Sequence, residues 1–274
     1  MILQTLQQTF IYKVMVVGLS CGLTMSATAD LGKVSTLVNN GIATAQATLG
    51  HMYLTGEGIS QDDVKAFERT KEAAYRGRAF SQYALGEMYS NGTGVRQNDT
   101  KAIEWYEKAA KQGNAKIQYN LGTLYQNGDG IPQDDYKAVE WYQMSAEKGF
   151  APAQYNLAAM YYEGQGVSQD YAEALKWLRK AAAQGYASAQ NNIGDMYETG
   201  KGVELNDTKA AEWYLKAANQ EIAEAQNSLG LMYFEGRGVE QDNAKSQEWY
   251  SKSCDNGYQP VAGVRRPAHP KIRC

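Results

Sequence analysis

The chain has 274 residues, with 27 Lys and Arg against 30 Asp and Glu, a formal net charge of −3 and a pI of about 5.6. That balance excludes the broad basic footprint of a nucleic-acid binder, so no nucleic-acid partner is expected. The one basic cluster (Arg265, Arg266, Lys271, Arg273) lies in the C-terminal tail, where a solvated charge run is the simpler reading.

The N-terminus departs from the rest. Lys13 precedes an apolar run from Val14 to Met25, and Ala27-Thr28-Ala29 follows. A charge, a short apolar core and a small-x-small end form the order of a secretory signal peptide, here cleaved after Ala29. The run is well short of the roughly 20 residues that a spanning helix needs, so no stable membrane span is expected. The expected location is periplasmic or secreted. Cys21 would be the acylated residue of a lipoprotein, but Gly18-Leu19-Ser20 before it is a poor lipobox. The stretch from Asp30 to Asn40 precedes Gly41 as helical stretches precede later glycines, so 30–42 is expected as an N-terminal capping helix, with Leu37-Val38 facing the stack.

From Ala43 onward a frame returns every 36 residues without insertion, marked by Leu49-Gly50, Leu85-Gly86, Leu121-Gly122, Leu157-Ala158, Ile193-Gly194 and Leu229-Gly230. Six copies cover 43–78, 79–114, 115–150, 151–186, 187–222 and 223–258. A period in this range signals a solenoid of small supersecondary units. Each copy holds two helical patterns. In the second copy Ala79, Gln82, Leu85, Gly86 and Tyr89 share one side of helix A. Asn91-Gly92-Thr93-Gly94 stops it, and Asp62, Asn98, Asp134, Asp170, Asn206 and Asp242 occupy the N-cap slot of helix B in successive copies. Ala102, Trp105, Tyr106, Ala109 and Ala110 form the apolar stripe of helix B, which Gly113 ends. The fifth copy has Glu221 in that glycine slot, so a strained or reshaped corner is expected there. The fold class is therefore all-α, a solenoid of six helix-turn-helix repeats.

After Tyr258 the tail 259–274 is basic and proline-rich, and Pro260, Pro267 and Pro270 oppose a regular helix. With the leader removed, Cys254 and Cys274 remain, an even count compatible with one disulfide in an exported protein. The tail is expected to fold back over the last helix with this pair bonded, a loop closure contributing on the order of 3 kcal/mol.

In the second copy Ala79, Leu85-Gly86, Tyr89, Gly92-Thr93-Gly94-Val95, Lys101-Ala102, Trp105-Tyr106, Ala109-Ala110 and Gly113 stand in order. The third copy repeats this frame with Ser145-Ala146 for the alanine pair, and the fifth lacks the closing glycine. This chain resembles the Sel-one-like repeat (SLR) family, relatives of the tetratricopeptide repeats. Local departures are Arg69-Thr70 for Trp-Tyr in the first copy, Leu178 for Tyr in the fourth, and Lys245-Ser246 for Lys-Ala in the sixth. The resemblance implies a right-handed α/α superhelix whose helices A line a concave face, and an adaptor role toward proteins or peptides.

By similarity to tetratricopeptide grooves, two rows of helix A should look into that face. One holds Asn120, Asn156 and Asn192; the row before it holds Tyr83, Tyr119, Tyr155, Asn191 and Asn227. An asparagine amide offers both donor and acceptor to the main chain of an extended peptide, and tyrosines add flat apolar area with a polar tip. The plainer alternative is that these asparagines only pair with neighbouring helices. Alongside, His51, Glu87, Thr123, Ala159, Asp195 and Leu231 vary and are placed to set selectivity.

Chemistry is poorly supported. His51 and His269 are the two histidines, and neither has a ligand at metal spacing, so no catalytic residue, metal or cofactor is assigned. The Gly-x-Gly pairs lack the strand before and the Lys-Ser after that phosphate loops use, and read as turns. The Glu-Trp-Tyr ladder on helix B reads as core. The leading expectation is a non-enzymatic, monomeric scaffold holding an extended protein or peptide segment. The runner-up is a binder or hydrolase of cell-wall or β-lactam compounds, an association of cysteine-rich relatives; the six copies here offer only Cys254. A third reading, an endoplasmic-reticulum adaptor, would use sequons such as Asn91-Gly92-Thr93.

Overall fold

The computed structural model describes residues 42–258. The expected signal peptide, the expected capping helix before Ile42, and the tail with Cys274 lie outside them. Among the described residues there are twelve α-helices and no strand. In chain order they are α1 (Ala43–Thr55), α2 (Asp63–Tyr75), α3 (Ala79–Asn91), α4 (Asp99–Ala110), α5 (Ala115–Asn127), α6 (Asp135–Glu147), α7 (Ala151–Glu163), α8 (Tyr171–Ala183), α9 (Ala187–Thr199), α10 (Asp207–Ala218), α11 (Ala223–Glu235) and α12 (Asn243–Asp255). Odd helices are the A helices and even ones the B helices, so the architecture is an all-α solenoid of helix pairs. The chain divides into two compact units at Trp141/Tyr142, inside α6. Within the first, α1 packs on α2, α2 on α3, α3 on α4 and α4 on α5. Within the second, α7 through α12 pack consecutively in the same manner.

Local chemistry sets the helix bounds. Each expected N-cap accepts a backbone N–H from the first turn of its B helix: Lys65 to Asp62, Lys101 to Asn98, Lys137 to Asp134, Glu173 to Asp170, Lys209 to Asn206 and Lys245 to Asp242, at 2.9 to 3.1 Å. Such caps satisfy donors a helix start leaves open. At the other helix end Gly92 takes φ 72°, the left-handed region, and its N–H reaches the Met88 carbonyl. Glu221 keeps the turn of its glycine counterparts rather than reshaping it. Its φ is +64°, the one positive φ at a non-glycine among the described residues, and its N–H still reaches the Ala218 carbonyl at 3.1 Å. The corner is strained, not rebuilt.

Packing inside each pair turns on the glycine of the Leu-Gly step. A Cβ built on Gly86 would stand 2.7 Å from the Tyr106 ring, and one on Gly194 would stand 2.7 Å from the Tyr214 ring. The glycine is the space that the tyrosine of the Trp-Tyr step fills. The fourth copy supports this by exchanging both members, Ala158 for Gly and Leu178 for Tyr, and both are buried. A smaller ring-less side chain leaves room for a methyl group. Gly194→Ala is therefore expected to destabilise the second unit by about 1–3 kcal/mol. In a Tyr214→Leu background the same change should cost at least about 1 kcal/mol less, read from urea unfolding in a double-mutant cycle. Additive losses would show that the ring is not what the glycine accommodates.

The B helices complete the core. Ala73-Ala74, Ala109-Ala110, Ala181-Ala182 and Ala217-Ala218 are buried, as are Trp105, Trp141 and Trp177. Trp213 and Trp249 are only half-buried, so the expected core ladder loosens toward the C-terminal end. Lysines one turn on cover the indole faces, with Lys180 Nζ 3.8 Å from the Trp177 ring centroid and Lys216 Nζ 4.0 Å from that of Trp213. The sixth copy carries a packing defect. Ser246 replaces an alanine, is 0% exposed, and its Oγ has no hydrogen-bond partner; an unmet buried hydroxyl costs about 1–3 kcal/mol.

A candidate binding face on the A helices

One row of helix A polar residues is committed to structure. Gln82, Gln118, Gln154, Gln190 and Gln226 are buried, and each donates its Nε2 to the carbonyl eight residues back, at the end of the preceding B helix. In four copies the glutamine Oε1 in turn accepts from an amide thirty residues on: Gln112 at 2.6 Å, Gln184 at 2.9 Å, Gln220 at 2.8 Å and Asn256 at 3.0 Å. All five glutamines thus tie two copies together, and in these four the same side chain also ties its own helix pair. The sequence signal was present in the unbroken 36-residue spacing of these amides, but single-helix periodicity cannot show that Nε2 reaches across copies.

The next two rows hold the expected binding residues. In the first unit Tyr83 is 2% exposed, with its ring 5.1 Å from that of Tyr106. Burial pushes both phenols well above their ordinary range, so both stay neutral hydrogen-bonding groups. Asn120 is 4% exposed and lies beside the Tyr83 hydroxyl, yet its Nδ2 has no hydrogen-bond partner. Tyr119 is half-buried.

In the second unit Asn156 donates to the Tyr142 hydroxyl at 3.1 Å, and Asn192 to the Tyr155 hydroxyl at 3.4 Å. The Tyr155 ring also lies 5.2 Å from that of Tyr186. Asn191 donates to Asp195 Oδ2 at 3.3 Å, while its own Oδ1 is buried without a partner. Asn227 is 7% exposed and its Nδ2 is unpartnered. Both arrangements weighed for these amides therefore occur. Asn156 and Asn192 spend a donor on neighbouring tyrosines, whereas Asn120, Asn191 and Asn227 retain an unused polar atom.

The row one turn further along helix A carries the charge. In the fifth copy the Tyr214 hydroxyl lies 2.6 Å from both Asp195 Oδ1 and Glu198 Oε2, so two carboxylates share one phenolic proton. Arg237, from the turn of the next copy, donates to Glu198 at 2.8 Å and to Glu235 at 2.6 Å. In the second copy Glu87 occupies the Asp195 position and is partly exposed. Burial of the surrounding region pushes its carboxyl up to about 8. His51, the first residue of this row, is buried, and desolvation lowers its pKa despite the opposing pull of Glu57.

Among the described residues no group of three or more His, Cys, Asp or Glu is placed to hold a metal ion, and no helix is long and apolar enough to cross a membrane. Cys254 is partly buried on α12, and Cys274 lies outside the described residues.

The Sel1 repeat model matches this chain six times, over 43–77, 79–114, 115–150, 151–186, 187–221 and 223–258. Two solved structures are similar at useful identity. One is a protective antigen present in uropathogenic Escherichia coli strains displaying an SLR fold, 37% identical over 84% of this chain with a TM-score of 0.76; this chain spans 49% of that protein. The other is a Sel1 repeat protein from Oxalobacter formigenes, 33% identical over 78% of this chain and 86% of its own, with a TM-score of 0.65. Comparison with curated proteins found no match. With Gly–Tyr packing, capped B helices and positive-φ turns recurring along the array, and the repeat model matching all six copies, the chain belongs to the Sel1 repeat family, whose members are generally non-enzymatic scaffolds that mediate protein interactions.

Proposed function

We propose that this protein is an exported, monomeric scaffold that holds an extended segment of a protein partner along its A helices. The observation that carries the reading is the set of unused amide atoms on one pair of rows. Asn120 and Asn227 each bury a free donor, and Asn191 a free acceptor. A buried polar atom left without a partner costs about 1–3 kcal/mol, so a ligand main chain that satisfies it recovers that loss on binding. Tyr119 and Tyr155 are partly exposed beside these amides and add contact area.

Changing Asn120, Asn191 and Asn227 together to Ala is expected to weaken partner capture about 100-fold, at roughly 1 kcal/mol per hydrogen bond. A photo-crosslinker at Tyr119, applied in the native envelope, supplies the readout, and circular dichroism checks that unfolding stays cooperative. Undiminished crosslinking by a folded triple variant would overturn the reading.

Export and the end cap belong to the same proposal. The order of residues up to Ala29 supports cleavage there, and the placement of Cys254 on the last helix supports its bonding to Cys274. Intact mass of the envelope fraction is expected to show a chain starting at Asp30 that takes up no alkylating agent before reduction. A chain retaining Met1, or two free thiols, would count against it.

A further inference from the structure

The amide bond that closes a helix pair is built differently in the last copy. The Oε1 atoms of Gln82, Gln154 and Gln190 accept from Gln112, Gln184 and Gln220, but that of Gln226 accepts from an asparagine, Asn256, at 3.0 Å. Asn256 is exposed, stands at the C-cap of α12 and is followed by Gly257. Losing one methylene changes the chemistry open to the side chain. The next residue's backbone nitrogen reaches an asparagine carbonyl carbon by closing a five-membered ring, whereas a glutamine needs a larger, slower one. A glycine in that next place has no side chain to hinder the approach and the backbone freedom to make it.

Three Asn-Gly steps lie among the described residues: Asn91-Gly92, Asn127-Gly128 and Asn256-Gly257. The first two end A helices, and their turns are held at both sides. Gly92 N–H reaches the Met88 carbonyl and Asn98 N–H that of Tyr89; Gly128 N–H reaches Leu124 and Asp134 N–H reaches Tyr125. Gly257 N–H donates to the Cys254 carbonyl at 2.9 Å, but among the described residues no helix follows it. α12 also contributes little to the core. It buries Ser246 and Ser253, against Ala210, Ala211, Tyr214, Ala217 and Ala218 in α10. Few buried apolar contacts and solvent-exposed backbone bonds mark the segments that open first.

We propose that Asn256 is a site of self-deamidation whose product unlocks the last helix pair. When the α12 corner opens, the Gly257 amide gives its proton to hydroxide and its nitrogen attacks Asn256 Cγ. The new C–N bond closes a succinimide as the Cγ–Nδ2 bond breaks, and Nδ2 leaves as ammonia, taking a proton from water. One water then opens the ring at either carbonyl, giving an aspartate or an isoaspartate. Water enters, ammonia leaves, and nothing is oxidised or reduced. Either product replaces the amide by a carboxylate, which has no hydrogen to donate to Gln226 Oε1. Its charge also opposes the negative end of the α12 dipole. Ser253 Oγ, donating to the Ala223 carbonyl at 2.9 Å, still ties α12 to α11. The modification needs no partner and is independent of the groove reading.

The test follows the full chain in mildly alkaline buffer by peptide mapping, with enzymatic methylation to reveal isoaspartate, alongside amide hydrogen exchange. In the folded chain Asn256 is expected to convert several-fold ahead of Asn91 and Asn127, and in concentrated urea the three should converge. Exchange in α12 should rise about fivefold in Asn256→Asp, the factor for one lost hydrogen bond. Asn256→Gln, carrying the residue that the other three copies use, should neither convert nor exchange faster. Equal conversion of the three sites in the folded chain, or the same ranking in urea, would overturn the site. Exchange at the wild-type rate in Asn256→Asp would overturn the unlocking.

Discussion

Gly94→Ala is expected to cost about 3 kcal/mol or more, against about 1–2 kcal/mol for Gly92→Ala two residues earlier. Both glycines sit in the left-handed region, at φ 67° and 72°. Strain from a positive φ is therefore common to both. Their surroundings differ. A Cβ on Gly92 would find its nearest neighbours at 3.4 Å, an ordinary contact, whereas one on Gly94 would overlap the Asp63 carbonyl of the preceding B helix. That carbonyl belongs to the first turn of α2 and cannot swing aside as a flexible side chain would. The same close approach recurs in the second unit, where a Cβ on Gly202 would lie 2.7 Å from the Tyr171 carbonyl oxygen. At Gly94, Gly202 and Gly238 the second glycine of the Gly-x-Gly turn is thus where one copy's loop lies against the previous copy's B helix. Since stability in a repeat array is carried by nearest-neighbour contacts, loss at this seam should also raise hydrogen exchange in α2 and α3 before it spreads. Urea unfolding with exchange protection reads both effects. Equal losses for the two variants would show that backbone conformation alone decides.

Stability of the wild-type protein should fall as pH rises from about 5 toward 8, and Glu87→Gln should flatten that fall. An unfolded Glu releases its proton near the ordinary 4.5, while in the fold the carboxyl holds it up to about 8. Between those values the folded state binds a proton that the unfolded chain has lost, so each step up in pH favours unfolding. The slope from one such group is at most about 1.4 kcal/mol per pH unit. Glutamine is neutral throughout and contributes no slope. Urea midpoints taken across this range for both proteins measure the difference. Parallel curves would show that Glu87 is ionised in the fold. An acidic group kept at a standing cost to stability is the kind of local conflict that functional surfaces carry.

How much of this was legible beforehand depended on the range of the interaction. The N-cap acids and amides, the turn glycines and the alanine pairs act within a few residues or recur at a fixed period, and the structure has them where the spacing puts them. Glu221 is instructive. Its departure from glycine was visible as a conflict, but the outcome, strain with the turn retained, depended on how firmly the helices on either side hold that corner. The rows of helix A were harder. Asn120 and Asn156 hold equivalent places in the repeat, yet Asn120 keeps a free buried donor while Asn156 gives its own to the Tyr142 hydroxyl. No pattern along one helix separates them, because the distinction lies in which neighbouring side chains reach them.

By itself the sequence determined the number of copies, the helix and turn boundaries and the family, since capping, backbone conformation and a 36-residue period are properties of short stretches or of their repetition. Only the tertiary structure decided that the glutamine row locks neighbouring copies, that Gly86 and Gly194 make room for tyrosine rings, and that Arg237 reaches back to Glu198 of the preceding copy. Those outcomes depend on distances between atoms on different helices, from eight residues apart along the chain for Gln82 and Ala74 to thirty-nine for Arg237 and Glu198. Only the packed array brings such atoms to within a hydrogen bond of one another, or leaves one of them without a partner.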